Sequence, residues 1–305
     1  MLVLYGGSGF IGRHISESSI RHNIKTGVIS RSCKLQFLNK SESLTTAQVG
    51  TPKAEMLLKK ATTIVYLANS SRPSSKFETV SEMMSKELKI LTNFMEELQN
   101  INTECNFIYL SSGGQVYGPN HRNIISEKNN TNPVTPYALS KCLNESILQY
   151  FRPRHAGSII VLRLANPVGH WQFGTSHGLV TTAITSAIMN ETLTIYGDGN
   201  NVRDYFDVDD FSDFICQLHH FEKIPSGTFN IGSNTGNTEL DIISAVENNL
   251  SISLEVNFVS VRNFDFRYAV LDSSKAQKEL GWKSLLSIDQ IIQKVKEEVY
   301  RKVNN

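Results

Sequence analysis

The sequence has no excess of either charge, no paired cysteines and no long apolar run, and each absence closes off a class of function. Thirty lysines and arginines against 29 aspartates and glutamates leave a formal net charge of +1. A polyanion partner needs a basic surface, so no nucleic-acid partner is expected. No stretch reaches the roughly 18 apolar residues of a membrane helix, so no membrane partner is expected either. Met1 abuts the first apolar run and leaves no room for a signal peptide, which predicts a cytoplasmic protein. Cys33, Cys105, Cys142 and Cys216 form no C-x-x-C pair. That spacing fits a reduced compartment, cysteines acting as small hydrophobes, and no metal site. Internal repeats, linkers and low-complexity tracts are also missing. What remains, 305 residues with 40% hydrophobic content, is enough for one large or two interlocked domains.

What the chain does carry begins at its second residue. An apolar run, Leu2-Val3-Leu4-Tyr5, feeds Gly6-Gly7-Ser8-Gly9-Phe10-Ile11-Gly12 and then Arg13–Arg21. Glycines at 6, 9 and 12 between a strand and a helix lay a dinucleotide pyrophosphate on the helix N-terminus. Gly6 permits a tight turn, Gly9 lets the backbone approach the phosphates, and Gly12 lets the helix pack close to the sheet. A glycine pattern alone fits an ordinary turn. Its place after a strand selects the cofactor reading.

The first half alternates short apolar runs with helical patterns, as a parallel βαβ sheet requires. Strands are expected at Leu2–Tyr5, Thr26–Ile29, Thr45–Val49, Thr63–Leu67, Phe107–Leu110 and Ser158–Leu164. Met84, Leu88, Leu91, Met95 and Leu98 recur at helical spacing, and a second helix is expected from about Tyr137 to Phe151, ended by Pro153. After Leu164 the alternation breaks. The fold class is therefore α/β, a doubly wound parallel sheet with a smaller, discontinuous C-terminal domain. The dinucleotide-binding part is expected over 1–168, with 202–232 returning to it, and the substrate part over 169–201 and 233–305.

Tyr137-Ala138-Leu139-Ser140-Lys141 sets a tyrosine and a lysine on one helix face. Such pairs usually lie on solvated surfaces, but this one follows the turn Ser111-Ser112-Gly113-Gly114-Gln115-Val116-Tyr117-Gly118. That turn leaves the carboxyl end of a strand, where doubly wound sheets bind ligands. A cationic lysine beside a phenol lowers its pKa from about 10 towards working pH, and the phenol then exchanges a proton while a nicotinamide exchanges a hydride. Phe10 and Ile11 in the glycine stretch, and Leu67 and Ala68 where the fourth strand ends, are further expected cofactor contacts.

With Arg163-Leu164-Ala165-Asn166-Pro167, Tyr196-Gly197-Asp198-Gly199, Val202-Arg203-Asp204-Tyr205 and Leu280-Gly281-Trp282 following in order, the chain resembles the extended short-chain dehydrogenase/reductase family, in its nucleotide-sugar branch. The resemblance covers nearly the whole length and implies a Rossmann fold. It implies Tyr137 as acid/base and Lys141 as the residue that holds the nicotinamide ribose. It further implies that Asn166 and Tyr196 approach a nucleotide-sugar substrate, that Arg203 and Arg262 grip its diphosphate, and that Asp265 contacts the nucleotide ribose. Guanidinium forks match phosphate oxygens, and short carboxylates accept from sugar hydroxyls. In related enzymes the two helices named above form a homodimer interface. Met83, Ile90, Phe94, Ile147 and Phe151 offer apolar surface for it.

Two departures shape the reading. The family's Ser or Thr four residues before Tyr117 is Gly113 here, so Ser112 or Gln115, or else Ser111, must supply that hydrogen bond. At the end of the second strand, Ser30-Arg31 replaces the acid that selects NAD, and a hydroxyl and a guanidinium suit a 2′-phosphate. NADP(H) is therefore favoured, with NAD(H) the alternative. The third strand likewise ends in Val49-Gly50-Thr51, without an acid for the adenine. The cofactor choice favours NADPH-dependent reduction of a nucleotide-activated 4-keto sugar, such as a dTDP-4-dehydro-6-deoxyhexose for surface polysaccharide (O-antigen, lipopolysaccharide) biosynthesis. The alternative is a 4-epimerase of the UDP-glucose or UDP-N-acetylglucosamine type with retained NAD. Gly114-Gln115 replaces the Asp-Glu pair of dehydratases and disfavours that reaction. A non-catalytic nucleotide-binding regulator is the alternative of another class, and the intact Tyr137/Lys141 pair argues against it.

Overall fold

The structure, a computed structural model, describes residues 1–31, 41–69, 79–119, 121–172, 178–262 and 265–303, with the side chain of Lys302 left out. Cys33 lies outside the described residues.

Six strands follow the order read from the sequence: β1 (Leu2–Tyr5), β2 (Thr26–Ser30), β3 (Leu44–Gln48), β4 (Thr63–Tyr66), β5 (Asn106–Ser112) and β6 (Ile159–Leu164). A seventh, Gly227–Ile231, pairs with β6 at one edge. From that edge the order runs Gly227–Ile231, β6, β5, β4, β1, β2, β3, and every neighbouring pair is parallel. Since β1 pairs with both β2 and β4, the sheet reverses direction there, and the cleft outside their carboxyl ends is the expected ligand site. Apolar side chains cover both faces. Helix α1 (Phe10–Arg21) and the helix Val208–His219 bring Ile15, Phe211 and Ile215 to one face, while Leu57, Leu91, Leu98 and Leu148 cover the other. Two-sided burial is what forces a parallel sheet to read as continuous apolar runs. Cys105 and Cys216 are buried as fillers, and burial pushes their thiols up to about 12 and about 11.

The closing Leu280-Gly281-Trp282 motif works as a plug. Gly281 takes a φ of +77° to end the helix Ser274–Leu280. Trp282 then enters the core, where its ring lies 5.3 to 6.3 Å from Phe206, Phe211 and Phe214 and its Nε1 donates to Gly232 O at 2.9 Å.

A separate apolar core joins Val180, Ile184, Leu193, Ile195, Ile242, Val246, Ile292 and Val295. Beside it, Val202–Asp207 pairs with Asn166–Val168, Gly236–Thr238 and Tyr268–Ala269 in a small four-stranded sheet. Phe206 of the strand Val202–Asp207 reaches the main core beside Phe211 and Trp282.

The helix before β5 departs from its expected register. It runs α-helical over Val80–Met83, π-helical over Met84–Leu88 and α-helical again over Lys89–Ile101. The wider π turn shifts the inward face, so Met83, Glu87 and Leu91 are buried, whereas Met84, expected on the apolar face, is 45% exposed. The apolar surplus assigned to a dimer face shrinks for the same reason. Met83, Phe94 and Phe151 are buried in the chain's own core and Ile147 packs against it, leaving Ile90 exposed, with Met84 and Tyr150 as neighbours in exposure.

Candidate functional site

The glycine loop is shaped by close contacts. Gly6 adopts φ +84°, and a Cβ there would stand 2.4 Å from Ala68 N, so the loop and the end of β4 meet backbone to backbone. A Cβ on Gly12 would stand 2.4 Å from Gly7 O. At Gly9, the N-cap of α1, a Cβ would meet nothing within 4 Å. The helix N-terminus is therefore approachable at the point where a pyrophosphate needs backbone N–H groups, and these residues fit a dinucleotide. Arg13 braces the loop by donating from Nε to Ser8 O at 3.1 Å. Phe10 and Ile11 are half-buried in the first turn, and Leu67 is tied to β1 by its N–H to Tyr5 O at 2.7 Å. Ser30 is buried at the end of β2, and Arg31 beside it is exposed. The missing acid after β3 has a local cause: Thr51 caps the helix Pro52–Lys59, accepting from Ala54 N at 3.3 Å.

Thr135 accepts from Ala138 N at 3.1 Å and Pro136 opens the first turn, so the helix Pro136–Phe151 starts where it carries Tyr137 and Lys141 to the carboxyl end of β5. Lys141 Nζ donates to Leu110 O at 2.9 Å and lies 5.7 Å from the centre of the Tyr137 ring. Burial lowers the Lys141 ammonium to about 8. The expected lowering of the tyrosine does not appear. Burial instead pushes the Tyr137 phenol up to about 12, with nearby Ser112 opposing the rise. Desolvation of the phenolate is the largest cause, and the charge of Glu87 adds to it. A phenol in this state holds its proton and is set up as a donor.

The three candidates for the missing hydroxyl separate cleanly. Ser112 lies close enough to the Tyr137 phenol to oppose the rise in its pKa. Ser111 points the other way, donating to Glu145 Oε1 at 2.5 Å. Gln115 Oε1 is buried without a hydrogen-bond partner among the described residues. Gly113 itself has no room for a side chain, because a Cβ would stand 2.3 Å from Leu271 Cδ1 and 3.1 Å from Arg163 O. Behind Ser111, Arg163 forks onto Glu145, with NH2 to Oε2 at 2.6 Å, and lies 4.8 Å over the Tyr117 ring. Tyr117 in turn donates to Asn230 Oδ1 at 2.7 Å. This network ties the helix Pro136–Phe151 to β6 and to the edge strand.

On the substrate side the structure brings Tyr196, Arg203, Arg262 and Asp265 together. Arg262 lies 4.3 Å over the Tyr196 ring. It is bidentate on Asp265, with Nε to Oδ2 and NH2 to Oδ1 both at 2.8 Å, so these two expected ligand contacts hold each other. Arg203 lies within electrostatic reach of Asp265, Arg262 and Glu239, and burial lowers its pKa. Asn166 donates to Asp204 O at 2.8 Å. Asp204 faces the other side of its strand and accepts from Ser233 N and Oγ at 2.8 and 2.7 Å. Glu239 was not anticipated. It opens the helix Glu239–Leu250 after the Thr238 cap, a common position for an acid, so the sequence gives it no functional mark. Glu145 and Glu87 carried no motif either. Among the described residues, no group of His, Cys, Asp and Glu is placed to hold a metal, and no helix is long and apolar enough to cross a membrane.

A model of the NAD dependent epimerase/dehydratase family matches residues 2–232. A putative UDP-glucose 4-epimerase of Methanocaldococcus jannaschii is 22% identical over 301 residues, 97% of this chain and 97% of the relative. A dTDP-4-dehydro-6-deoxyglucose reductase of Escherichia coli is 24% identical over 306 residues, 96% of each chain. The crystal structure of a Thermotoga maritima UDP-glucose 4-epimerase with UDP-glucose matches with a TM-score of 0.82 at 25% identity, covering 100% of this chain and 99% of that one.

Proposed function

The chain belongs to the NAD dependent epimerase/dehydratase family of nucleotide-sugar enzymes, and from that premise we propose that it reduces a nucleotide-activated 4-keto sugar with NADPH. The observation that carries this reading is the adenosine end of the cofactor cleft. No acid follows β2, and a cavity of about 440 Å³ is lined there by Arg31, Ser85, Lys86, Lys89, Ile90 and Asn93. Arg31 and Lys89 suit a 2′-phosphate, while Lys86 beside them is paired with Glu82. A cofactor drawn from the NADPH pool serves a reductase that consumes it, whereas an epimerase keeps its cofactor.

The nicotinamide, when bound, supplies the hydride to the keto carbon. Tyr137 delivers its phenolic proton to the keto oxygen, the Ser112 hydroxyl favours the phenolate that remains, and Lys141 binds the nicotinamide ribose. Arg203 and Arg262 take the substrate diphosphate once Asp265 exchanges Arg262 for a ribose hydroxyl, and Asn166 and Tyr196 border the sugar. The main sheet serves the cofactor, the second core with its small sheet serves the substrate, and a homodimer meets at Met84 and Tyr150.

A 4-epimerase with retained NAD is the second reading, favoured by the full-length likeness to the Thermotoga maritima enzyme. The test offers dTDP-4-dehydro-6-deoxyglucose with NADPH and follows loss of NADPH absorbance, alongside UDP-glucose without added cofactor. Turnover of the first, falling roughly two to four orders of magnitude in Tyr137→Phe, supports the reductase. Interconversion of UDP-glucose by protein that releases stoichiometric NAD on denaturation rejects it.

A further inference from the structure

The π-helical turn Met84–Leu88 carries an acid into the protein. Glu87 is 5% exposed, between Met83 and Leu91 at 0%, while Lys86 and Lys89 beside it face outward. The turn packs against the helix Pro136–Phe151. A carboxylate in such a layer is costly unless opposite charge or donors face it, and π turns inside α-helices gather at functional sites. Among the described residues, the titratable groups whose balance Glu87 shifts include Tyr66 at the end of β4 and Tyr137 and Lys141 on the helix Pro136–Phe151. Tyr109 on β5 lies under Lys141, its ring centre 5.0 Å from Nζ. Glu145 acts on Lys141 as well, but it is already matched by the Arg163 fork.

We propose that Glu87 is a positioning residue acting through Lys141: turned inward by the π segment against the catalytic helix, its carboxylate is the principal counter-charge of the buried Lys141 ammonium. Without that charge, burial removes the lysine's proton at lower pH, and its grip on a cofactor ribose goes with it. Of the two carboxylates that hold Lys141 up against burial, Glu87 is the stronger. The same charge opposes ionisation of Tyr137, so it keeps the lysine charged and the phenol protonated together. This rests on the reading of Lys141 as a cofactor contact, and it does not depend on which sugar is turned over.

The test is cofactor binding against pH, with NADPH and NADH titrated separately by fluorescence from about pH 6.5 to 9.5, a range that spans the Lys141 transition. In the wild type, affinity should weaken as pH rises through about 8, the value for Lys141, and Lys141→Met should abolish the inflection. Removing a nearby anion lowers an ammonium pKa, so Glu87→Gln should move the inflection about one unit to lower pH. Glu87→Asp, which keeps the charge on a shorter stem, should move it only part of the way. A merely structural role would weaken binding equally at every pH. An inflection absent from the wild type, or unmoved in Glu87→Gln, overturns the proposal. Should Glu87→Gln fail to fold, an unmoved inflection in Glu87→Asp does the same. Lack of turnover with the 4-keto sugar would reject the reductase reading and leave this binding readout intact.

Discussion

Leu271 fills the space that a side chain on Gly113 would need: its Cδ1 lies 2.3 Å from the position of a Cβ there, and Leu271 is fully buried. The loss of the usual hydroxyl at 113 is thus a packing choice made with a residue 158 positions away. Gly113→Ser should destabilise the fold by about 1–3 kcal/mol through overpacking. Leu271→Ala should cost about 2–5 kcal/mol through the cavity it leaves. Because the two compete for one space, the double variant should cost clearly less than the sum. Strictly additive values in urea unfolding would show that they do not.

Ser112 and Ser111 adjoin in sequence and should fail differently. Ser112→Ala removes the hydroxyl beside Tyr137 and should lower kcat by about 10²- to 10³-fold, the scale of a lost donor at the reacting oxygen, with little change in stability. Ser111→Ala leaves a Glu145 oxygen short of a buried donor and should cost stability, about 1–3 kcal/mol, more than turnover. Gln115→Ala breaks no bond in the structure, so any loss of turnover there would mark a contact to substrate. Full activity in Ser112→Ala would remove Ser112 from the chemistry.

Cofactor choice is tested at the end of β2. Ser30→Asp should repel a 2′-phosphate and shift preference to NADH. Arg31→Ala and Lys89→Ala should each weaken NADPH more than NADH, since both cations line the cavity there. A wild type that prefers NADH, with a ratio none of these changes alters, would sink the NADP reading.

Asp204 gives a pH signature. Burial pushes its carboxyl up to about 6 against three hydrogen bonds from Ser233 and Leu271. The folded state therefore keeps a proton that the unfolded chain, titrating near the ordinary aspartate value of about 4, has lost. The stabilisation from this group is whole below about pH 4 and falls as pH rises towards 6, by about 3 kcal/mol in all. Unfolding free energies between those pH values should show this fall superposed on the other titrations, and Asp204→Asn should flatten it. An unchanged slope in the variant would mean that Asp204 titrates normally.

Much of this was legible in the chain. Glycines 6, 9 and 12, the six apolar runs and the spacing of Tyr137 and Lys141 are local features, and local sterics and periodicity read the same before and after folding. The sequence by itself therefore determined the parallel sheet, the glycine turn after its first strand and the setting of Tyr137 and Lys141 on one helix. Only the tertiary structure decided which serine faces Tyr137, because strand alternation alone does not reveal that Glu145 waits on the other side. It also decided that Arg262 and Asp265 hold each other, and that burial raises the Tyr137 phenol where a neighbouring lysine was expected to lower it. Glu87 was invisible for the plainest reason. A charged residue reads as solvated surface until a π turn, which no periodicity predicts, rotates it into the core.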